Sequence, residues 1–236
     1  LELIVVNYEL VCWFKKVNIE GDTLMGAGAI QSDTQVEFLV LRPEHVDGAV
    51  DCLAESFMDE PICRALGLPQ QALADFLRPR IELTAQDGLS CVTLENGKVV
   101  STLFNDNNHD EPVPYANEAQ WKRYMDPIFE VLEQLHHGSE VEQQLHAEGL
   151  RFFHIFFGGT IQQGRRKGYL KRLMTMSLDI ARQKGFDVAM AEATSPGSQH
   201  TCRTFGFMNP FALQYTDIPA LASIGDTALE LHLLRL

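Results

Sequence analysis

The run Gln162-Gln163-Gly164-Arg165-Arg166-Lys167-Gly168-Tyr169-Leu170-Lys171-Arg172-Leu173 places five Lys and Arg within eight residues, in a chain of 236 residues whose formal net charge is -13. Leu170, Leu173, Met174, Ser177, Leu178 and Ala181 follow at the spacing of one helix face, and Gly185 is placed to cap the end. Cations in the first turn of a helix oppose its macrodipole, at a cost of ~0.3 to 1 kcal/mol each near the terminus. A bound anion offsets that cost. A buried strand, a basic glycine-containing turn and a helix N-terminus together make an anion site, with free backbone N-H groups and a Gly168 that permits close approach. The competing reading is a solvated basic face. Neither G-x-x-x-x-G-K-[ST] nor G-x-G-x-x-G is present, so the phosphate expected here is not one held by either of those nucleotide motifs.

The other chemistry-bearing side chains exclude more than they suggest. Cys12, Cys52, Cys63, Cys91 and Cys202 are odd in number, scattered and without a C-x-x-C pair, which points to neither a disulfide framework nor a zinc site and suits a reducing cytoplasm. The eight His are also scattered; His136 and His137 adjoin but point to different helix faces, and no H-E-x-x-H spacing occurs. No metal is expected. The acidic excess argues against a nucleic-acid partner, because a polyanion meets repulsion over most of the surface, and it is compatible with a small cationic substrate. Apolar residues at 45% and charged residues at 22% describe a globular chain rather than a disordered one.

These residues need a scaffold, and the pattern supplies one. Residues 1-34 read as an N-terminal extension or linker: the opening apolar run is interrupted by Glu2, Asn7 and Glu9, falls short of a bilayer span, and lacks the basic region of a secretory signal, and Met25 is a candidate start. Residues 35-236 read as one domain. Val36 to Pro43 is a strand; Pro43 opens a helix through Val46, Ala49, Val50, Leu53 and Phe57 that Pro61 breaks; Pro69 to Gln86 is a second helix that Pro79 kinks or divides. Two alternating strands flank Asn96-Gly97, the signature of a type I′ hairpin. A polar insertion over residues 105-149 carries two helical runs, near Ala116 to Leu135 and Ser139 to Glu148. "RFFHIFFGGTI" is a buried strand with a bulge expected at Gly158-Gly159, its four Phe expected in the core. The helix after Gly168, the strand "DVAMAEAT", a short helix ending at Gly206 and two final strands complete a mixed sheet flanked by helices, an α/β (α+β mixed) architecture.

Arg165-Arg166-Lys167-Gly168-Tyr169-Leu170 resembles the (Gln/Arg)-x-x-Gly-x-(Gly/Ala) motif of the GNAT superfamily of acyl-CoA N-acyltransferases, matching its first and fourth positions, with Leu170 where a small residue is usual. The order of elements from Val36 onward and the "RTFGF" segment are similar to the whole family fold, and "ESFMDEP" with the helical insertion before "FHIFF" resembles the arylalkylamine N-acetyltransferase-like branch. The resemblance implies a central twisted, mostly antiparallel sheet whose fourth and fifth strands splay apart, with the helical insertion between strands 3 and 4. It also implies that acetyl-CoA binds at the turn, through Arg165, Arg166, Lys167, Gly168, Tyr169, Leu170 and Lys171, with Gly158 and Thr160 pairing to the pantetheine amides through the backbone.

For the chemistry, the resemblance implies Glu60 as general base, with Asp59 as alternate. Such a group is required, because a primary amine with pKa near ~10 is almost wholly protonated at neutral pH and attacks a thioester only through its neutral lone pair. The other reading of Glu60 is a loop carboxylate placed by Pro61 at a helix end. His109, His154 and His200 are further possible bases, His154 reading better as a satisfied core histidine. The family's usual Tyr acid is replaced by Cys202, which is either a proton donor to the leaving thiolate or a buried apolar Cys. Serines assist on this segment in the amine-acetylating branch, which gives Ser198 a role, with Ser195 and Thr201 nearby; a mechanism without any acid is also open. The expected activity is acetyl transfer from acetyl-CoA to the primary amine of a small molecule by direct attack in a ternary complex, by a monomer or homodimer with no membrane partner. Acylation of a protein or peptide, or silent acyl-CoA binding, are the alternatives.

Overall fold

The computed structural model describes residues 34–107 and 118–236. The expectations for residues 1 to 33, including Cys12, and for His109 lie outside the described residues. Strand β1 (Val36–Val40) leads through a single 3₁₀ turn at Pro43–His45 into helix α1 (Val46–Ser56). A second 3₁₀ turn, Phe57–Asp59, follows, and α2 (Pro61–Ala65) then begins at the proline. The first helix therefore ends at Ser56, and Pro61 starts an element rather than breaking one. The reason is positional: at the first helical residue the missing N-H has no intrahelical use and the fixed φ is already helical. Helix α3 (Gln70–Thr84) runs on through Pro79 without being divided.

Strands β2 (Cys91–Glu95) and β3 (Lys98–Asp106) form the expected hairpin, with Asn96 at φ 53° and Gly97 at φ 77°, both positive as a type I′ turn demands. The insertion contributes α4 (Glu118–His137) and α5 (Glu140–Ala147), the latter capped by Ser139, whose Oγ accepts the Glu142 N-H at 3.2 Å. Then come β4 (Phe152–Thr160), α6 (Tyr169–Gln183), β5 (Val188–Ala193), α7 (Pro196–Thr204), β6 (Met208–Gln214) and β7 (Ala228–Arg235). Gly185 and Gly206, at φ 73° and 84°, stop α6 and α7 as left-handed caps.

The seven strands lie in the order β1-β2-β3-β4-β5-β7-β6, and only β4 and β5 run parallel. Alternation along each strand sorts its side chains to two covered faces. On one face α1 and α3 bury Leu53, Leu73, Phe76 and Phe104, with Trp121 and Met125 of α4 joining them. On the other, α6 buries Leu173 and Leu178 against Leu103, Phe153 and Ala189. A third cluster, Val131 and Leu135 of α4 with Val188, Met190, Leu229 and Leu231, closes the β5-β7 end.

The bulge on β4 is not at the glycines. Phe104 pairs with Phe157 and Asn105 with Ile155, which leaves Phe156 unopposed, while Gly158 and Gly159 stay in register with Leu103 and Thr102. The extra residue lets Phe156 and Phe157 both pack toward the α1-α3 side as half-buried rings; Phe152 and Phe153 are fully core. The glycines answer to crowding instead. A Cβ on Gly159 would stand 2.7 Å from Ser56 Cβ, and one on Gly158 would stand 2.9 Å from Leu103 Cδ1.

Candidate functional site

Parallel pairing between β4 and β5 lasts for three residues only, ending at His154 opposite Met190. Beyond that point Ile155 to Thr160 and Ala191 to Ala193 face each other with no ladder between them, so backbone groups on both inner edges are left for another partner. A cleft of about 580 Å³ opens in this gap.

One end of the cleft is basic. Arg166 is held at φ 65° and Gly168 at φ 79°, so the turn coils its backbone before α6 starts. The first intrahelical bond is Arg172 N-H to Gly168 O at 3.1 Å, which places the amides of Tyr169, Leu170 and Lys171 ahead of the ladder. Arg165, Arg166, Gly168, Tyr169, Leu170 and Lys171 all line the cleft. Among these cations Arg165 has fixed partners: its Nε donates to Thr160 O at 3.1 Å and its guanidinium reaches Asp59 at 3.0 Å. Lys167 points elsewhere. Its ammonium donates to both Glu95 oxygens at 2.8 and 2.9 Å, Glu95 also accepts the Tyr169 hydroxyl, and Lys167 is not part of the cleft lining. Leu170 leans on Gly158, its Cδ1 3.4 Å from where a Cβ there would sit.

Glu60 stands on the cleft wall as the N-cap of α2. Its Oε2 accepts the N-H groups of Ile62 at 2.8 Å and Cys63 at 3.2 Å, while Oε1 is buried without a hydrogen bond. Burial pushes its carboxyl above the usual range; the Thr194 hydroxyl, near but short of bonding geometry, and the two amides draw it part of the way back. One oxygen of Glu60 thus caps a helix, as a loop carboxylate at a helix end does, and the other carries no hydrogen bond. Asp59 is exposed and committed to Arg165.

The α7 side of the cleft behaves differently. Ser195 and Ser198 form a reciprocal capping box, Ser198 Oγ accepting Ser195 N-H at 3.1 Å and donating to Ser195 O at 2.9 Å. Both line the cleft, as do Thr201 and Cys202. Cys202 is buried, and desolvation pushes its thiol up to about 12. Proton transfer from such a thiol to a thiolate of ordinary basicity is uphill, so the geometry favours the buried apolar reading of this residue. His200 is exposed and lies outside the cleft lining.

Two residues of the cleft wall, Thr194 and Glu192, and one buried behind it, Tyr215, had no signal in the sequence. Tyr215 is fully buried and donates to Thr194 O at 2.7 Å; burial and the nearby Glu60 carboxylate both raise its phenol. Thr194 follows β5 beside Glu60. Glu192, also in the cleft wall, binds His154, which is buried as expected and additionally held between two carboxylates. Among the described residues no group of His, Cys, Asp and Glu could hold a metal ion, and no helix is long and apolar enough to cross a membrane.

No protein-family model and no curated protein sequence matches this chain. Solved structures do. Arylalkylamine N-acetyltransferase 2 from Aedes aegypti superposes with a TM-score of 0.70 at 20% identity, over 85% of this chain and 98% of that one. The C-terminal condensation domain of Ebony, in complex with beta-alanyl-dopamine, superposes with a TM-score of 0.67 at 19% identity, over 86% of this chain and all of that one, 100%. Drosophila melanogaster polyamine N-acetyltransferase superposes with a TM-score of 0.64 at 16% identity, over 86% and 100%. The chain therefore has the GNAT fold, in the form found in arylalkylamine and polyamine N-acetyltransferases.

Proposed function

We propose that this protein is an N-acetyltransferase that moves an acetyl group from acetyl-CoA to the primary amine of a small molecule by direct attack in a ternary complex. The observation that carries this reading is one cleft with two unlike ends: a basic turn with unengaged amides at Tyr169 to Lys171, and a buried carboxylate oxygen, Glu60 Oε1, with no partner. The first suits a diphosphate and the second an ammonium group. Likeness in fold to enzymes named for the same reaction supports it.

In this reading the amides of residues 168 to 171, with the side chains of Arg165, Arg166 and Lys171, hold the phosphates, and Lys167 contributes its backbone while its ammonium holds the turn to Glu95. The unpaired edge at Gly158 to Thr160 takes the pantetheine amides. Glu60 accepts a proton from the substrate ammonium. The freed nitrogen attacks the acetyl carbon, a C-N bond forms and the C-S bond breaks, and the thiolate takes up the second proton from nitrogen. One proton per turnover leaves Glu60 for solvent. Ser198 aids by holding the start of α7 in place against the cleft.

The apolar lining from Ile62, Leu68, Leu73, Met125, Ile128 and Phe157 supports an amine with an apolar body. A silent acyl-CoA-binding role is favoured by one observation, the neutral Cys202 where the family places an acid. Calorimetric titration with acetyl-CoA followed by a thiol-release screen over primary amines separates the two. Binding with thiol release supports catalysis; binding with no release for any small amine removes the small-amine reading and leaves the silent role or a peptide acceptor, which a peptide amine in the same assay separates.

A further inference from the structure

At the point where β4 and β5 part, carboxylates and imidazoles alternate along a line of ion pairs. Asp106 of β3 faces His154 of β4, Oδ1 to Nδ1 at 3.3 Å. His154 Nε2 lies 2.9 Å from Glu192 Oε2 on β5. Glu192 Oε1 lies 3.1 Å from His136 Nε2 at the end of α4, an ion pair short of hydrogen-bond geometry, and His136 Nδ1 lies 2.9 Å from both oxygens of Glu142 on α5. His146 Nε2 stands 3.4 Å from that same carboxylate.

Both nitrogens of His136, and both of His154, face carboxylate oxygens within ion-pair distance, an arrangement that favours the imidazolium form of each ring. Side chains of Asp106, Glu142 and Glu192 are 6% to 8% exposed, so each carboxylate depends on its partner for compensation. Burial alone would lower His136, but Glu142 and Glu192 outweigh it and hold the ring at about 9; Glu192 and Asp106 hold His154 at about 10 in the same way. Burial would raise Glu192, and His154 and His136 keep it well below the usual carboxylate range.

This line joins parts that bear on one site. Glu192 lies two residues beyond the last β4-β5 pair, on the cleft wall. Helix α4 supplies Met125, Ile128, Val131 and Leu132 to the same cleft, and Val131 packs in one cluster with Ile62, two residues after Glu60. His136 is the link between that helix and Glu192. Resting on the reading above, we propose that His136 is a positioning residue: by bridging Glu142 and Glu192 it holds α4, and so the amine-side wall of the cleft, in register with the sheet.

Among the described residues, the charged groups facing this path come from several elements. From α5 come Glu142 and His146, from β5 Glu192, and behind it His154 and Asp106, with Arg80 of α3 at 3.8 Å from Asp106. On α4 itself His137 and Glu133 pair on the solvent side, and opposite Glu192 β7 places Leu231, in one apolar cluster with Leu229 and Leu233. Because the folded value of His136 lies above its ordinary 6.5, its bridging is complete below that pH and is lost as pH rises through about 9.

The test compares wild type with His136→Gln by amide hydrogen exchange and by steady-state kinetics. In the variant, amides of α4 should exchange roughly tenfold faster than in wild type while those of β3 to β5 keep their rates, the size set by a lost charged hydrogen bond. The amine KM should rise by roughly tenfold with acetyl-CoA affinity unchanged. In wild type, the amine KM corrected for the amine's own ionisation should climb as pH passes about 9, and in the variant it should be flat. Glu142→Gln, which removes the charge and keeps a hydrogen-bonding shape, gives the same readouts if His136→Gln does not fold. Unchanged exchange in α4, or a parallel loss of acetyl-CoA affinity, overturns the proposal. If no amine releases thiol, the functional reading fails while the exchange measurement still decides the role of His136.

Discussion

Arg165 reaches across from the basic turn to Asp59, guanidinium to carboxylate at 3.0 Å, and so joins the proposed cofactor end of the cleft to the loop that carries Glu60. A single ion pair thereby couples the two ends. Its partners are too exposed for it to matter much to folding, since such surface pairs contribute about 0 to 1 kcal/mol.

The basic residues of the turn should not be equivalent. Lys171→Ala and Arg165→Ala are expected to weaken acetyl-CoA binding by roughly three- to tenfold each, a charged contact apiece. Lys167→Ala should leave it within about twofold, because that ammonium is turned to Glu95 and, unlike Arg165 and Lys171, is not part of the cleft lining. Calorimetry on the three variants checks the order, and a larger loss for Lys167→Ala than for Lys171→Ala would redraw the site.

Glu60→Gln should lower kcat/KM by roughly a hundredfold or more, the usual scale for a general base. Wild type should show an acid limb above the ordinary carboxylate range, set by the raised Glu60, and the variant should lose it. The stability sign is opposite. A carboxyl whose folded value is raised costs stability as pH climbs through it, so the variant should be no less thermally stable than wild type at neutral pH. A variant that is markedly less stable would show that capping of α2 outweighs the cost of the buried charge.

Cys202→Ala tests whether the thiol acts as an acid. With its thiol held at about 12, the expected change in kcat is under about threefold. The expected stability loss is about 1 kcal/mol, from a lost buried contact. A hundredfold fall in kcat with the fold intact would restore Cys202 to the chemistry.

Gly159→Ala should destabilise by about 1 to 3 kcal/mol, because its Cβ would stand 2.7 Å from Ser56 Cβ, and backbone on both sides must yield. Thermal unfolding reads the effect. An unchanged midpoint would mean that α1 can retreat from β4 without cost.

Local chemistry carried much of the fold into the sequence. Asn96-Gly97 announced its hairpin because only residues tolerant of positive φ fit both places, and Gly168, Gly185 and Gly206 bracketed two helices for the same reason. Element order and the basic turn before α6 were legible too. Pro61 reads as a helix breaker in sequence because a proline that breaks one helix and one that begins the next look alike without the φ/ψ of its neighbours. The glycine pair points to a bulge at Gly158-Gly159, whereas the register change falls at Phe156; the glycines answer to Ser56 and Leu103, contacts that no local pattern encodes. The same limit hid the partner of Lys167, which lies 72 positions away, and the alignment of His136, His154 and Glu192, which only the parting of two strands brings together.

The central claim is that one cleft joins a thioester to a carboxylate that activates an amine. Its most direct measurement is thiol release on mixing the protein with acetyl-CoA and a panel of small primary amines, run side by side for wild type and Glu60→Gln. The account predicts sustained release with at least one amine of apolar body, collapsing by roughly a hundredfold in the variant. Acetyl-CoA binding without release for any amine, or release that Glu60→Gln leaves intact, would contradict it.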